Sequence, residues 1–256
     1  MHIRSYIFVT NTLPAMNNNE RNPFEDLRER FGDVRSRLDT AAGRSGRSTD
    51  DIKLIAISKT HPAETIRLAI DLGISTFGEN RVQEAEDKIS EVGRRAASWH
   101  LVGHLQSNKA RRAVKLFDCI HSLDSAELAE RLNDMCVAEQ RDVLPVLIQI
   151  DLGGEKTKTG MDPRGLPDLL SALGKCDRLR LDGLMTLPPF FENPDCARPY
   201  FKTLRGLRDD LRAKGHFGEG KGELSMGMSH DFEIAIEEGA TMVRVGTALF
   251  GERGAK

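Results

Sequence analysis

The sequence predicts a single (β/α)8 barrel of the TIM type with an N-terminal packing helix. Three observations carry this. Apolar runs of strand length alternate with helical patterns from residue 52 to residue 251, as in a parallel sheet whose strands are joined by helices. The alternation is repeated eight times, the number at which such a sheet closes into a barrel. No Gly-x-Gly-x-x-Gly turn follows the first run, which weighs against an open dinucleotide-binding sheet. The length of 256 residues suits one such barrel.

Taken in order, residues 1–19 read as a flexible extension and residues 20–256 as the barrel domain. Residues 3–9 are mildly apolar but too short for a signal peptide. Asn17, Asn18 and Asn19 are polar, and Met16 is an alternative start. Phe24, Leu27, Phe31, Val34 and Leu38 recur at helical spacing, so residues 24–42 form a packing helix ahead of the first strand. The first strand is 52–58, and Pro62 opens a helix that runs to 72 and stops at Gly73. Strand 74–77, the turn Gly78-Glu79-Asn80 and helix 82–92 follow. Strand 99–102 leads through 103–109 into a helix ending at 116. Strand 119–123 precedes Asp124-Ser125, which cap a helix to 139. Strand 143–151 is nearly all apolar, as a strand buried on both faces should be. A loop rich in Gly and Lys, 153–160, leads to helix 164–173. Strand 179–185, helix 197–214, strand 224–226, helix 231–238 and strand 242–245 complete the series. The chain then turns through Gly246 to Gly251 with a stub of helix.

Composition excludes several classes of function. Hydrophobic content of 39% and charged content of 30% describe a globular protein with a substantial core. The net charge is −2, and basic residues form only local pairs such as Arg111-Arg112. Neither a nucleic-acid nor a membrane-surface role is expected. No apolar stretch approaches the ~20 residues of a membrane span. Cys119, Cys136, Cys176 and Cys196 are widely spaced, without a CxxC or Cys/His ligand pattern. No metal site and no disulfide framework is expected, and the thiols suit a reducing cytoplasm.

The chemistry is expected at the carboxyl ends of the strands. Lys59 closes the run Ile52-Lys53-Leu54-Ile55-Ala56-Ile57-Ser58. An ammonium there must find an anion or lose its proton and act as a nucleophile. Lys59 therefore reads as a lysine that forms a Schiff base with a phosphorylated aldehyde. Glu79-Asn80, His104 to Asn108, Asp124, Lys156 and Lys158, Ser225 to Ser229 and Arg244 to Thr247 end other strands. All are expected to converge on one mouth. Met226-Gly227-Met228-Ser229 and Val245-Gly246-Thr247 each pair a glycine with a hydroxyl at a turn. Either alone is an ordinary cap; together, after the last two strands, they are where barrels hold phosphate. Arg244 lies inside the last strand, either in an ion pair with Glu79 or Asp124 or facing the ring of a bound cofactor. His104 and His121 are structural histidines or acid/base groups. The Lys156/Lys158 loop is a solvated edge of the mouth or part of the site.

Six stretches resemble one family: Ile57-Ser58-Lys59-Thr60, Phe77 to Glu84, Trp99 to Lys109, Gly183-Leu184-Met185-Thr186, Leu224 to Ser229 and Arg244 to Gly251. In order and collinear from about Phe24 to Gly251, they look like the pyridoxal-phosphate homeostasis proteins. That family is similar in fold to the barrel of alanine racemase, without the racemase's second domain. The resemblance implies that pyridoxal 5′-phosphate (PLP) is bound. Lys59 becomes the Schiff-base lysine, and Asn80 sits beside the ring. Arg244 faces the pyridine nitrogen, and Ser229, Gly246 and Thr247 hold the phosphate. It also implies a carrier or regulator of vitamin B6 and amino-acid pools, without efficient turnover and with no catalytic residue. PLP-dependent apo-enzymes would be its recipients, and the protein would be a monomer or weak dimer. The alternatives are a PLP-dependent racemase or lyase using the same lysine, or a phosphosugar aldolase, which leaves Arg244 without a task.

Overall fold

The computed structural model describes residues 22–154 and 159–252. The expected extension at residues 1–19 and the Lys156/Lys158 edge lie outside the described residues. The eight strands form one closed barrel in sequence order: β1 Lys53–Ile57, β2 Thr76–Glu79, β3 Ser98–Leu101, β4 Cys119–Leu123, β5 Leu144–Ile150, β6 Leu179–Thr186, β7 Glu223–Met228 and β8 Met242–Val245. All pairings are parallel, and β8 closes on β1 through Leu54↔Val243 and Ile55↔Arg244. Helices α2 Ala63–Asp71, α3 Val82–Val92, α4 Ala110–Leu116, α5 Ala126–Ala138, α6 Leu166–Leu173, α7 Arg198–Ala213 and α8 Phe232–Glu237 follow the first seven strands, and α9 Thr247–Phe250 follows β8.

Helix α1, Pro23–Arg44, precedes the barrel. Asn22 caps it by accepting the Phe24 N–H, and Pro23 stands at its first position, where a missing N–H costs nothing. Leu27, Val34, Leu38 and Ala41 fall on one face and are buried. That face packs on α8 and α9. Arg37 reinforces the contact, paired with Glu233 at 2.6 Å and lying 4.4 Å from the Phe232 ring centroid.

The second strand sits two residues further along than the apolar pattern implies. Gly73 has φ +91°, and the Ile74 N–H reaches back to the Ala69 carbonyl while the Gly73 N–H bonds that of Ile70. This is a Schellman end, in which the apolar residue after the glycine belongs to the helix terminus. At the other end, Gly78 and Glu79 read as loop, yet they pair with His100 and Leu101 of β3.

The core has two parts. Between barrel and helices lie Phe77, Trp99, Ile120, Ile148, Leu184 and Val243 among others. Inside the barrel lie Ile55, Ile57, Val102, Cys119, Leu147, Met185 and Met242. Alternation along a strand then decides orientation. Ile55 and Ile57 face inward, so Ser58 turns outward and Lys59 turns into the carboxyl-end mouth. Among the described residues no helix is long and apolar enough to cross a membrane. The four cysteines are free, and all but Cys196 are buried.

Candidate functional site

A cavity of about 320 Å³ opens at the mouth, within the range of small-molecule sites. Lys59, Asn80, Ser229, Arg244, Gly246 and Thr247 all line it. Ile57, Val102 and Leu187 supply apolar wall. A larger cleft of about 610 Å³ lies near the amino ends of β6 and β7, beside Phe217. It is away from every residue expected to carry chemistry.

The backbone at Lys59 is held on both sides by α3. Lys88 donates to the Ser58 carbonyl at 2.6 Å. The Thr60 N–H donates to the Glu84 carboxylate. Thr60 has φ +69°, a left-handed conformation that β-branched residues rarely adopt. Lys88 also pairs with Glu84 at 2.6 Å and with Glu79 at 2.8 Å. Ser58 Oγ donates to Glu79 at 2.7 Å. Burial pushes the Glu79 carboxyl up, against Lys88 and the Ser58 hydrogen bond. At Glu84 burial also acts upward, but hydrogen bonds from Lys88 and the Thr60 N–H outweigh it and hold the carboxyl below its ordinary value. Glu79 therefore does not belong to the mouth, contrary to expectation. It points outward, because Gly78 beside it faces Ile55 and Ile57 inside the barrel. Lys88 was missed, although its position was readable. It falls with Val82, Ala85 and Ile89 on the buried face of α3.

The loops after β7 and β8 are stitched together. Ser229 Oγ accepts the N–H of Gly246 at 3.1 Å and that of Ala248 at 3.2 Å. Asp231 accepts the Met228 N–H at 2.6 Å. Gly227 has φ +91°, and a Cβ there would lie 2.6 Å from Ala235 Cβ and 2.9 Å from Phe232 Cα. Only glycine allows α8 to pack this closely. The turn thus brings Ser229, Gly246 and Thr247 to one wall of the cavity, a setting that suits an anion.

Arg244 makes neither expected ion pair. Glu79 lies outside the barrel wall, and Asp124 faces His104, 3.5 Å away. Arg244 is only 3% exposed, and its guanidinium donates to Ser225 Oγ at 2.7 Å and to the Thr186 carbonyl at 2.8 Å. Among the described residues no carboxylate lies within ion-pair distance of it. Burial lowers its pKa to about 10, with Asp231 acting the other way, so it remains a cation facing the cavity.

His121 is not a mouth residue. It is fully buried, with Nδ1 2.9 Å from Ser225 Oγ and Nε2 2.8 Å from His100 Nδ1. Burial lowers the pKa of His121 well below its ordinary value, and that of His100 to about 4. His100, Cys119 and His121 place ligand-type atoms within 4.8 Å of one another, a juxtaposition that sequence spacing hides. His104 and Asp124 line a neighbouring cleft of about 500 Å³. His230 was also missed, and it lines the cavity. Its Nε2 is 3.1 Å from the carbonyls of Phe191 and Glu192, which makes that nitrogen a donor. Tyr200 instead packs on Phe191, 5.8 Å between ring centroids.

Residues 33–254 match the family described as alanine racemase, N-terminal domain. The chain is 44% identical over 225 residues to the pyridoxal phosphate homeostasis protein of Aquifex aeolicus, covering 88% of this chain and 97% of that one. It is 42% identical over 235 residues to the protein of the same name from Escherichia coli strain K12, covering 89% and 97%. The structure of PipY from Synechococcus elongatus PCC7942, solved with PLP bound, superposes with a TM-score of 0.76 at 39% identity, covering 88% of this chain and 100% of that one. Matched along most of its length by that domain and by these relatives, the chain belongs to the pyridoxal phosphate homeostasis protein family.

Proposed function

We propose that this protein binds PLP through Lys59 and acts in the cytosol as a carrier or regulator of the cofactor rather than as an efficient enzyme. One observation carries the reading. A half-buried lysine, a buried arginine and the residues Ser229, Gly246 and Thr247 line a single cavity of about 320 Å³. The relatives named for PLP homeostasis, and PipY with PLP bound, support it. When bound, PLP supplies an aldehyde that condenses with a primary amine and a ring that withdraws electrons.

The chain's own residues divide the binding among them. Lys59 provides the amine, aimed inward by strand parity and by the grip of α3 on Ser58 and Thr60. Ser229, Gly246 and Thr247 hold the phosphate, with the Ser229 hydroxyl hydrogen directed at it while its oxygen accepts two amides. Asn80 stands beside the ring, backed by Gly103, where a Cβ would come within 2.3 Å of the Asn80 carbonyl oxygen. Arg244 donates toward the ring nitrogen. PLP-dependent apo-enzymes are the recipients this reading implies.

The test is an absorbance spectrum of the PLP-loaded protein before and after borohydride, followed by mass mapping of the reduced adduct. The adduct is expected on Lys59, and Lys59→Ala should retain only weaker, phosphate-anchored binding. An adduct on Lys109 or Lys158 would overturn the assignment. A racemase or lyase is the second reading, favoured by one observation: His230 adds a titratable group to the cavity lining.

A further inference from the structure

Arg244 is the first member of a hydrogen-bonded chain that crosses the barrel interior. Ser225 Oγ lies 2.7 Å from Arg244 Nη1 and 2.9 Å from His121 Nδ1. His121 Nε2 lies 2.8 Å from His100 Nδ1. Ser225 and His121 are fully buried, and His100 is 3% exposed. The binding of PLP as described gives Arg244 a task but leaves Ser225, His121 and His100 without one.

The chemistry of the groups gives it a direction. A guanidinium only donates, so Ser225 Oγ is an acceptor toward Arg244. The serine hydrogen then needs an acceptor of its own, and His121 Nδ1 provides one. If His121 Nδ1 carried a proton instead, two N–H groups would converge on the serine oxygen. The buried hydroxyl hydrogen would then have no acceptor among the described residues, a costly arrangement. With His121 Nδ1 accepting, the neutral ring carries its proton on Nε2 and donates it to His100 Nδ1. His100 in turn carries its proton on Nε2. Protonation of either ring is opposed by burial and by Lys53.

We propose that Ser225 and His121 are positioning residues for Arg244. The chain Arg244→Ser225→His121→His100 runs in this one direction, fixes both imidazoles as Nε2–H tautomers, and holds the guanidinium toward the cofactor ring. The serine oxygen and the Thr186 carbonyl turn negative dipole ends to the guanidinium. They anchor two of its N–H groups to the barrel wall, leaving the others for the cavity. The proposal rests on the PLP reading only for what the guanidinium faces; the direction of the chain is independent of it.

The first experiment is long-range 15N–1H NMR of the histidine rings in PLP-free protein, with signals assigned through single His→Gln variants. Nε2–H patterns at His100 and His121 are expected; an Nδ1–H tautomer or an imidazolium at His121 overturns the chain. The second compares Ser225→Ala with Ser225→Thr. Ala should release the His121 tautomer, shift the absorbance of bound PLP, and raise the dissociation constants of PLP and pyridoxal alike by about tenfold or more. Thr, which keeps the hydroxyl, should restore all three. A Ser225→Ala protein with the His121 tautomer and PLP spectrum unchanged would leave these residues merely structural and overturn the proposal. Wild-type protein that binds no PLP yet shows both Nε2–H patterns would refute the cofactor reading while upholding the direction of the chain.

Discussion

The ammonium of Lys88 lies 2.6 Å from the carbonyl oxygen of Ser58, the residue before Lys59. The same ammonium contacts Glu79 and Glu84, and Glu84 holds the amide of Thr60. One buried lysine thus fixes the chain on both sides of the lysine that faces the cavity. Its loss is expected to reach both stability and binding.

Lys88→Met removes the partner of Glu79, which is fully buried. Breaking a buried pair from one side costs about 3–5 kcal/mol, because the remaining charge is left unpaired. Urea unfolding should show a loss of this size with an unchanged slope. The double variant Lys88→Met/Glu79→Gln should recover a large part of it. A loss within about 0.5 kcal/mol, the range of ordinary surface changes, would show that the network does not anchor the strand end.

The proposed phosphate site at Ser229, Gly246 and Thr247 predicts a difference between two ligands. Each hydroxyl bond to a charged oxygen is worth about 1.5–3 kcal/mol. Ser229→Ala/Thr247→Ala should therefore weaken PLP far more than pyridoxal, measured by titration of each ligand. The Ser229 change also frees the amides of Gly246 and Ala248, so part of the loss should be regained by the reoriented N–H groups. Equal losses for the two ligands would put the phosphate elsewhere.

Much of this site was legible in the sequence. Local signals suffice for a strand that leads into Lys59, for a glycine and a hydroxyl at the end of β7 and again after β8, and for an arginine inside β8. Orientation was harder to read. Whether Glu79 faces in or out depends on parity, which needs the pairing of Ile57 with Gly78. The approach of His121 to Ser225 spans 104 residues and needs the closed barrel. Register shifts at β4–β5 and β7–β8 also break simple alternation near both residues. Lys88 is different: it was passed over, although helical periodicity alone is enough to put it with Val82, Ala85 and Ile89 on the buried face of α3.

The low pKa of His100, about 4 against an ordinary 6.5, makes stability depend on pH. Burial is the main cause, with Lys53 acting the same way and Asp118 against it. Above pH 6.5 the group is neutral in both states and contributes nothing. As pH falls from 6.5 toward 4 the unfolded chain takes up a proton that the folded chain refuses, so folding stability declines. At ~1.36 kcal/mol per pKa unit the decline reaches about 3 kcal/mol. Glu79, whose pKa is raised, works in the opposite sense, gaining stability as pH falls through its folded value. The difference between wild type and His100→Gln reads this histidine together with the part of the His121 shift that His100 causes. Urea unfolding at pH 7 and pH 4.5 should show wild type losing about 2–3 kcal/mol more than the variant. Parallel losses would mean that His100 is protonated in the folded protein.

A racemase working through two bases needs an acid/base group on each face of the bound substrate, within hydrogen-bond reach of the carbon being inverted. Lys59 can serve one face. Among the described residues the cavity lining adds only His230 and Arg244 as titratable groups. Arg244 stays charged at ordinary pH and makes a poor proton shuttle; as a charged donor to the ring nitrogen it would also leave that nitrogen unprotonated. The ring is then a weaker sink for a carbanion. His230 remains, but its Nε2 is engaged by the Phe191 and Glu192 carbonyls, which leaves Nδ1 alone to exchange protons. Tyr200 packs against Phe191 and does not line the cavity. PLP-loaded protein incubated with L-alanine or D-alanine, followed by chiral chromatography, should therefore show far less than the roughly 1 per second of ordinary enzymes. His230→Gln should leave any residual rate unchanged. Turnover at or above that rate would replace the carrier with an enzyme, and its loss in His230→Gln would identify the second base.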